Sequence, residues 1–365
     1  THEYLQVEIN RFKPDIIFVL DHFRWEYPDV HSNVIFITWI QDVLPHLYDK
    51  RSVPKLQDLD FLLSIYIGYK EFDDVGYPYD KITYSPITVN DNIFKKYDIS
   101  GSQKSHFGSD ICYIANGGNP YEALDELKKI IIDDFSGLEL IEDKLNEIFQ
   151  ILYDSCLNGD YTFTYERYKN IFTNVFGRYA MDIFPQYLLN SLLWFLRFKI
   201  EYSMHISSPL EWLHNEGYNI KLWGNSWNSH PVLNQHDMGV ARHGEELSMI
   251  YNASKITLGL SPYISAHFRY FEATCSGCLY IGRDIPVEYD YSKMRMFFKE
   301  DKEILFFKKR DDLLKKVDYY LESHEKRKEI YDASIDKILN NFTYKSLMVN
   351  LLNEVSSRIN NKVVI

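Results

Sequence analysis

Residues 255–281 read KITLGLSPYISAHFRYFEATCSGCLYI, and this stretch decides the fold. It begins with a short apolar run, 255–260, and ends with a second one, 278–281. Such runs are typical of strands that are buried on both faces, whereas 267–277 between them has helical spacing. A strand, a helix and a second strand in this order predict parallel strands joined by a crossover helix.

The same pattern recurs outward along the chain. Buried apolar runs predict strands in the first hundred residues, joined by crossovers, and further strands in the second half, with the helical segment 121–205 between two of them. The predicted strands are 16–20, 33–39, 61–67, 81–87, 110–115, 218–223, 255–260 and 278–281. The chain is therefore expected to be an α/β protein with two Rossmann-like parallel sheets.

The length of the chain and a polar segment within it predict the domain boundaries. A chain of 365 residues suits two domains, and a polar joint rich in Ser and Gly lies around 100–109. We predict an N-terminal domain over 1–105, a C-terminal domain over 106–345 with a helical insert at about 121–205, and a last helix over 346–365. Because a helix precedes the first strand, we expect the N-terminal domain to lack its first strands.

Composition excludes several classes of protein. Hydrophobic residues make up 45% of the chain, which excludes a disordered protein, and the formal net charge of −12 argues against nucleic acid as a partner. The sequence has no run of eighteen apolar residues, so we predict no integral membrane segment. The four cysteines are too scattered for a disulfide framework, and we interpret Cys275 and Cys278 as buried thiols in a reducing, cytoplasmic compartment.

Candidate acid/base residues follow the first two predicted strands. His22 follows 16–20, and Asp42 and His46 follow 33–39. Ligands of parallel sheets bind beyond the carboxyl ends of the strands, so these side chains are placed to act as a base or to position a substrate. The alternative for each residue alone is a capping or hydrogen-bonding role within its loop.

A glycine pair follows the strand 110–115. Asn116, Gly117 and Gly118 lie between this strand and a predicted helix, an arrangement in which backbone N–H groups and the helix N-terminus face an anion. The segment has neither G-x-G-x-x-G nor the Walker spacing. The sequence therefore disfavours a dinucleotide oxidoreductase but leaves a phosphate-binding loop open.

Several longer segments carry a family resemblance. The segments YNIKLWGNSW (218–227), GEELSMIYNASKITLGLS (244–261) and HFRYFEATCSGCLYIGRDIP (267–286) occur in this order, and ILNNFTYKSLMVNLLNEV (338–355) follows them. They resemble the C-terminal half of group-1 GT-B glycosyltransferases similar to the spore maturation protein CgeB. DICYIANGGNPYEALDEL (110–127) resembles the opening of that half, and KPDIIFVL (13–20) and FITWIQDVLP (36–45) resemble strands of the other half. The resemblance implies two Rossmann-like domains that face each other across a cleft.

The resemblance also implies a donor site. The family has a Glu, seven residues and a second Glu; the second falls on Glu272, which would bond the ribose hydroxyls, but the first falls on Ile264. The departure at Ile264 leaves the donor sugar without its usual carboxylate. The other donor-binding residues that the resemblance implies surround the diphosphate or the base. They are Arg269, Phe268, His267, Asn116, Gly117, Gly118, Gly224 and Trp227. For Trp227, a packed aromatic is an equal alternative.

The implied reaction is transfer of a sugar from a nucleotide-diphosphate sugar to an unknown acceptor, which is a glycan, a protein or a small molecule. No D-x-D motif lies in a suitable loop, so we expect no metal and no other cofactor. An inverting enzyme would need Asp42, or else His22 or His46, as its base, whereas the family likeness favours retention. A sugar-nucleotide epimerase on the same fold and a non-catalytic sugar-nucleotide-binding relative remain open alternatives.

Overall fold

The computed structural model describes residues 2–42, 44–66, 70–85, 87–134, 139–160, 164–177, 186–265, 267–287, 289–290 and 292–363. The chain divides into two compact units. Unit 1 comprises Thr1–Asp91, Tyr291–Met296 and Lys337–Ile365, and unit 2 comprises Asn92–Asp290 and Phe297–Asp336. Each unit is built on its own parallel β-sheet.

The sheet of unit 1 has four parallel strands in chain order. Each follows from an apolar run, and β2 and β3 are almost wholly buried, as expected for strands covered on both faces. The strands are β1 (Ile16–Leu20), β2 (Ile35–Ile40), β3 (Asp60–Ser64) and β4 (Ile82–Tyr84). Helix α1 (His2–Phe12) precedes them.

The connections between these strands differ from the sequence-based prediction of helical crossovers. Their described residues contain 3₁₀ turns at Arg24–Glu26, Pro45–Tyr48 and Lys50–Lys55, and the four-residue helix α2 (Lys70–Asp73). Proline removes a backbone donor and restricts the preceding residue, which favours short turns here over longer helices.

The sheet of unit 2 has five parallel strands in the order β6-β5-β7-β8-β9. Strand β5 (Ile111–Ile114) therefore lies between β6 (Ile220–Trp223) and β7 (Ile256–Gly259), with β8 (Leu279–Arg283) and β9 (Leu305–Phe307) beyond. The helices outside the insert are α3 (Gly101–Phe107), α9 (Glu245–Ala253), α10 (Phe268–Cys275), α11 (Arg310–Glu322) and α12 (His324–Asn341). The two parallel sheets confirm the predicted α/β class.

A helical segment joins β5 to β6. It contains α4 (Pro120–Asp134), α5 (Glu139–Asn158), α6 (Tyr165–Phe176), α7 (Gln186–Phe195), a π-helical turn (Leu196–Glu201) and α8 (Tyr202–Asn215). The buried apolar side chains Ile206, Leu210, Trp212 and Leu213 of α8 pack with those of the sheet of unit 2. The others form one cluster. Inside it the buried Glu201 receives two hydrogen bonds of 2.9 Å from the guanidinium of Arg167, which satisfies the carboxylate.

The last helix, α13 (Tyr344–Val363), belongs to unit 1. Its residues Leu347, Leu351 and Val355, spaced four apart, lie on one face of the helix. They form one buried cluster with side chains of β2 and β3, namely Ile37, Trp39, Phe61 and Leu63. The end of the chain thus covers the sheet that the beginning of the chain builds.

Two further predictions concern the cysteines and membrane segments. Cys112, Cys156, Cys275 and Cys278 are buried free thiols, as predicted for Cys275 and Cys278. Among the helices that the structure describes, none is both long and apolar enough to cross a membrane.

A buried ion pair anchors the loop after β1. Arg24 and Asp60 have side chains that are 2% and 3% exposed, and Nε of Arg24 donates to the Asp60 carboxylate at 2.5 Å. The same guanidinium donates to the carbonyl oxygens of His31 at 2.8 Å and Val34 at 2.6 Å. Because the Asp60 carboxylate is shielded from water, losing the arginine would leave it uncompensated.

We therefore predict that Arg24→Ala lowers the free energy of unfolding by about 3–5 kcal/mol. Urea unfolding followed by circular dichroism measures the change. Arg51→Ala is the matched control, because the Arg51 side chain is 87% exposed in its pair with Asp49 and should be lost without measurable effect. Equal stability of the two variants would contradict the anchoring role of Arg24.

Candidate functional site

The N-terminal turn of α10 is attached to the end of β5. Arg269, in this turn, donates from Nε to the carbonyl oxygen of Ile114 at 2.5 Å, and its guanidinium lies 5.9 Å from the centre of the Tyr113 ring. His267 precedes the helix and makes no side-chain capping bond to it in the described structure. A positive side chain and the first N–H groups of the helix therefore share one place, which suits a bound anion.

Glu272 lies one turn further along α10, with a side chain that is 12% exposed. Burial raises the pKa of its carboxyl to about 7, against the opposing effect of the Arg269 charge. Nε2 of His243, an exposed residue, lies 4.0 Å from Oε1 of Glu272. A carboxylate kept from water and unneutralised by a close partner is costly, which is typical of functional positions.

The two residues before Arg269 have different roles. His267 is partly buried, and burial together with the Arg269 charge lowers the pKa of its imidazole to about 3. A neutral imidazole can accept or donate one hydrogen bond but adds no positive charge for a phosphate. Phe268 contributes its backbone N–H at the helix start, so the charge of the turn comes from Arg269.

The loop after β5 is fixed by contacts within the protein. The Asn116 side-chain oxygen accepts from Asn225 N at 3.1 Å and from its Nδ2 at 3.2 Å. A Cβ on Gly117 would lie 3.0 Å from the Trp227 ring, and one on Gly118 would lie 2.8 Å from Cα of Ser203. Protein packing therefore already accounts for both glycines, without a diphosphate.

Gly224 and Trp227 hold the loop after β6 against the same place. A Cβ on Gly224, whose φ is +148°, would lie 2.2 Å from the carbonyl oxygen of Ala115. Trp227 is completely buried, and its Nε1 donates to this same oxygen at 2.8 Å. The indole therefore has no face open to a nucleotide base, and its stacking role is replaced by one of positioning the loops.

Two of the candidate bases in unit 1 come together. The imidazole rings of His22 and His46 lie 6.1 Å apart and nearly parallel. Glu26 lies beside both of them: its Oε2 is 2.8 Å from Nδ1 of His22, and its Oε1 is 3.8 Å from Nε2 of His46. The three side chains thus form a cluster at the carboxyl ends of β1 and β2.

Asp42 has a more peripheral position. It is exposed, and its backbone N–H donates to Oδ1 of Asp21 at 3.2 Å. That same Oδ1 accepts from Gln41 N at 2.7 Å, while the carbonyl oxygen of Asp21 lies 2.8 Å from Nε2 of His46. Asp21 therefore joins the loops after β1 and β2, and no described contact brings Asp42 to the histidines.

Sequence reasoning missed two members of these arrangements. The i, i+4 spacing of His22 and Glu26 was a visible signal, because side chains so spaced can meet on a helical turn. The approach of His243 to Glu272 had no local signal, since the two residues belong to separate segments. Only the fold of unit 2 brings them together.

Comparisons with known proteins agree with this fold. Residues 207–353 match a family model described as glycosyl transferase-like, which is less than half of the chain. The match includes β6, β7, β8 and the whole of α10. No protein of curated function matches the sequence.

Solved structures with similar folds have low sequence identity to the chain. Sucrose-phosphate synthase from Thermosynechococcus elongatus has a TM-score of 0.51 at 9% identity, covering 96% of this chain and 76% of its own. A glycosyltransferase from Rickettsia africae has a TM-score of 0.48 at 12% identity, with 99% and 81% covered. Anabaena HepE, in complex with UDP and glucose, has 0.48 at 10% identity, with 97% and 82% covered. The first likeness and the two parallel-sheet units confirm the GT-B fold class.

We predict that Gly224→Ala lowers the free energy of unfolding by about 3 kcal/mol or more, because the new Cβ collides with the Ala115 carbonyl. Gly217→Ala is the control: Gly217 has a φ of +80° but nothing within 4 Å of its Cβ position, so only backbone strain of about 1 kcal/mol is expected. Urea unfolding of both variants measures the difference, and equal losses would show that the loops can separate.

Burial of Glu272 should make stability depend on pH. Its carboxyl pKa is about 7 in the folded chain, against a usual value of 4.5, so the folded state binds the extra proton in that range. This proton contributes its full share of the free energy of unfolding below about pH 4.5. The contribution, roughly 3 kcal/mol in all, is lost as pH rises through about 7.

Unfolding of wild type and Glu272→Gln between pH 4.5 and pH 8 measures this effect. The variant, which keeps the shape but cannot ionise, should be more stable than wild type at pH 8 and of similar stability at pH 4.5. Glu322→Gln, at an exposed position of α11, should follow wild type throughout. A constant difference between wild type and Glu272→Gln would refute the raised pKa.

Proposed function

We propose that the chain is a glycosyltransferase that moves a sugar from a nucleoside diphosphate donor to an acceptor hydroxyl. The observation that carries the proposal is the first turn of α10, where Arg269 is anchored to the end of β5 and Glu272 is largely buried one turn away. This turn lies within the segment that matches the glycosyl transferase-like family model. The GT-B fold and the family match support the same reaction class.

Each group of this turn has a chemical role in the proposal. The two oxygens of Glu272 accept hydrogen bonds from the two ribose hydroxyls, for which an ionised carboxylate is suited. Arg269 is held by Nε, and its terminal nitrogens bind the diphosphate. The N–H group of Phe268 adds a donor, and the helix dipole favours the negative charge of the leaving group.

The proposed reaction breaks the bond between the anomeric carbon and the diphosphate oxygen. The bonding electrons pass to that oxygen, and Arg269 and the helix N-terminus stabilise the growing charge without a metal ion. In the retaining reaction, which the family resemblance favours, the acceptor oxygen bonds to the anomeric carbon on the face that the diphosphate leaves, and the departing phosphate oxygen takes the hydroxyl proton. The chain then needs no protein base, and Asp42, His22 and His46 have no proton-transfer step.

Three finer statements belong to the same proposal. The motifs of 218–286 support membership of the CgeB-like group, in which an Arg-x-x-Glu segment such as Arg269–Glu272 is often kept alone. Ile264 supports a donor sugar that is held by groups other than the usual carboxylate. The buried free thiols support a cytoplasmic location.

We expect one nucleoside diphosphate from a panel of UDP, GDP, ADP, CDP and dTDP to raise the melting temperature of wild type by several degrees. A ligand at 100 times its dissociation constant adds about 2.7 kcal/mol of stability. Glu272→Ala should lose most of the shift, because the ribose contacts are removed, and Glu322→Ala should keep it. EDTA should leave the shift unchanged, because no metal bridges the diphosphate in this proposal.

The sugar nucleotides of the diphosphate that binds are then tested for turnover. We expect transfer of the sugar to an added acceptor. NMR of the product should show the same anomeric configuration, α or β, as in the donor. Isomerisation of the donor sugar would identify an epimerase, and binding without turnover would identify a non-catalytic relative. Absence of any shift with wild type would overturn the donor site itself.

A further inference from the structure

The cluster of His22, Glu26 and His46 in unit 1 has no part in the proposed transfer. We propose that these three residues bind a divalent transition-metal ion of the Zn²⁺ class. Each offers one ligand atom, and the three atoms lie within 4.8 Å of one another. Two imidazole nitrogens and one carboxylate oxygen are a ligand set that proteins use for zinc and related ions.

The distances suit one shared ion. Metal–ligand bonds of about 2.1 Å place neighbouring ligand atoms about 3 to 3.5 Å apart. The Glu26 oxygens lie 2.8 Å from Nδ1 of His22 and 3.8 Å from Nε2 of His46, which bracket that range. Small rotations of the side chains therefore bring all three atoms to an ion without movement of the backbone.

The ligands are held in place before an ion binds. Oε1 of Glu26 accepts from the backbone N–H of Phe23 at 2.7 Å, which fixes the carboxylate on its 3₁₀ turn. Behind this turn the buried Arg24 is bonded to Asp60 at 2.5 Å. A ligand set that is already ordered loses less conformational entropy when the ion binds.

Asp21 connects the two loops that carry the ligands. Its φ of +54° is in the left-handed region, and its carbonyl oxygen lies 2.8 Å from Nε2 of His46. A carbonyl oxygen can only accept, so without an ion Nε2 donates its proton to it. An ion at Nε2 replaces that hydrogen bond, and the neutral ring then carries its proton on Nδ1. The carbonyl dipole next to Nε2 favours a cation at this position.

The site has room for a further ligand. The side chains of His22, Glu26 and His46 are 50%, 29% and 36% exposed. Three protein ligands with solvent access leave coordination positions for water or for a hydroxyl group, as in catalytic rather than structural zinc sites. All ligands belong to unit 1, whereas the groups proposed to bind the diphosphate belong to unit 2.

The test is a titration of the whole chain, first treated with EDTA and then freed of it, with Co²⁺ followed by its visible absorption. We expect binding of one Co²⁺ per chain, displaced by one Zn²⁺. His22→Ala and Glu26→Gln should each weaken binding at least about 100-fold, since each removes a ligand of the ion. His31→Ala, an exposed histidine of the same unit, should bind as wild type does.

Melting temperatures in EDTA show whether the variants fold. Gln at position 26 keeps an oxygen for the Phe23 N–H, so at least this variant should melt like wild type. The proposal is overturned if folded wild type binds no Co²⁺ or Zn²⁺ at one per chain, or if the folded variants bind with wild-type affinity. Neither result bears on diphosphate binding, so the two proposals can fail separately.

Discussion

The carboxyl end of β5 is the constraint on which the candidate donor site depends. Two successive carbonyl oxygens there accept side-chain donors: Ile114 from Arg269 and Ala115 from Trp227. Buried backbone acceptors must be satisfied, and here the partners come from α10 and from the loop after β6. Gly224 allows that loop to approach, so three separate segments of unit 2 become one body at the strand end.

This arrangement explains why an unfavourable carboxylate can persist on α10. Glu272 is costly to ionise where it lies, and the Arg269 charge offsets only part of that cost. If packing alone had selected the residue, an apolar or amide side chain would serve better at this depth. Proteins keep locally unfavourable groups mainly where they function, so the burial of Glu272 supports the donor site proposed above.

The sequence predicted strands better than it predicted partners. Buried runs such as Ile16–Leu20 and Ile256–Gly259 are strands because apolar residues without polar alternation must be covered on both faces. The same reasoning placed His22 and His46 at one sheet edge, but it could not show Glu26 between them. The sequence could not decide between ligand contact and packing for Gly117 and Trp227 for a related reason. Tight packing between two loops produces the same glycine and aromatic residues as a ligand would.

The order of the chain also has a consequence for folding. The face of β2 and β3 that carries Ile37 and Phe61 is covered by Leu347 and Leu351 of α13, some three hundred residues later. Closing so long a loop costs only slightly more entropy than closing a shorter one, so stability is little affected. The rate is affected more, because contacts of high sequence separation form late. Unit 1 therefore cannot complete its core until the end of the chain is available, whereas the sheet of unit 2 needs only residues 111–307.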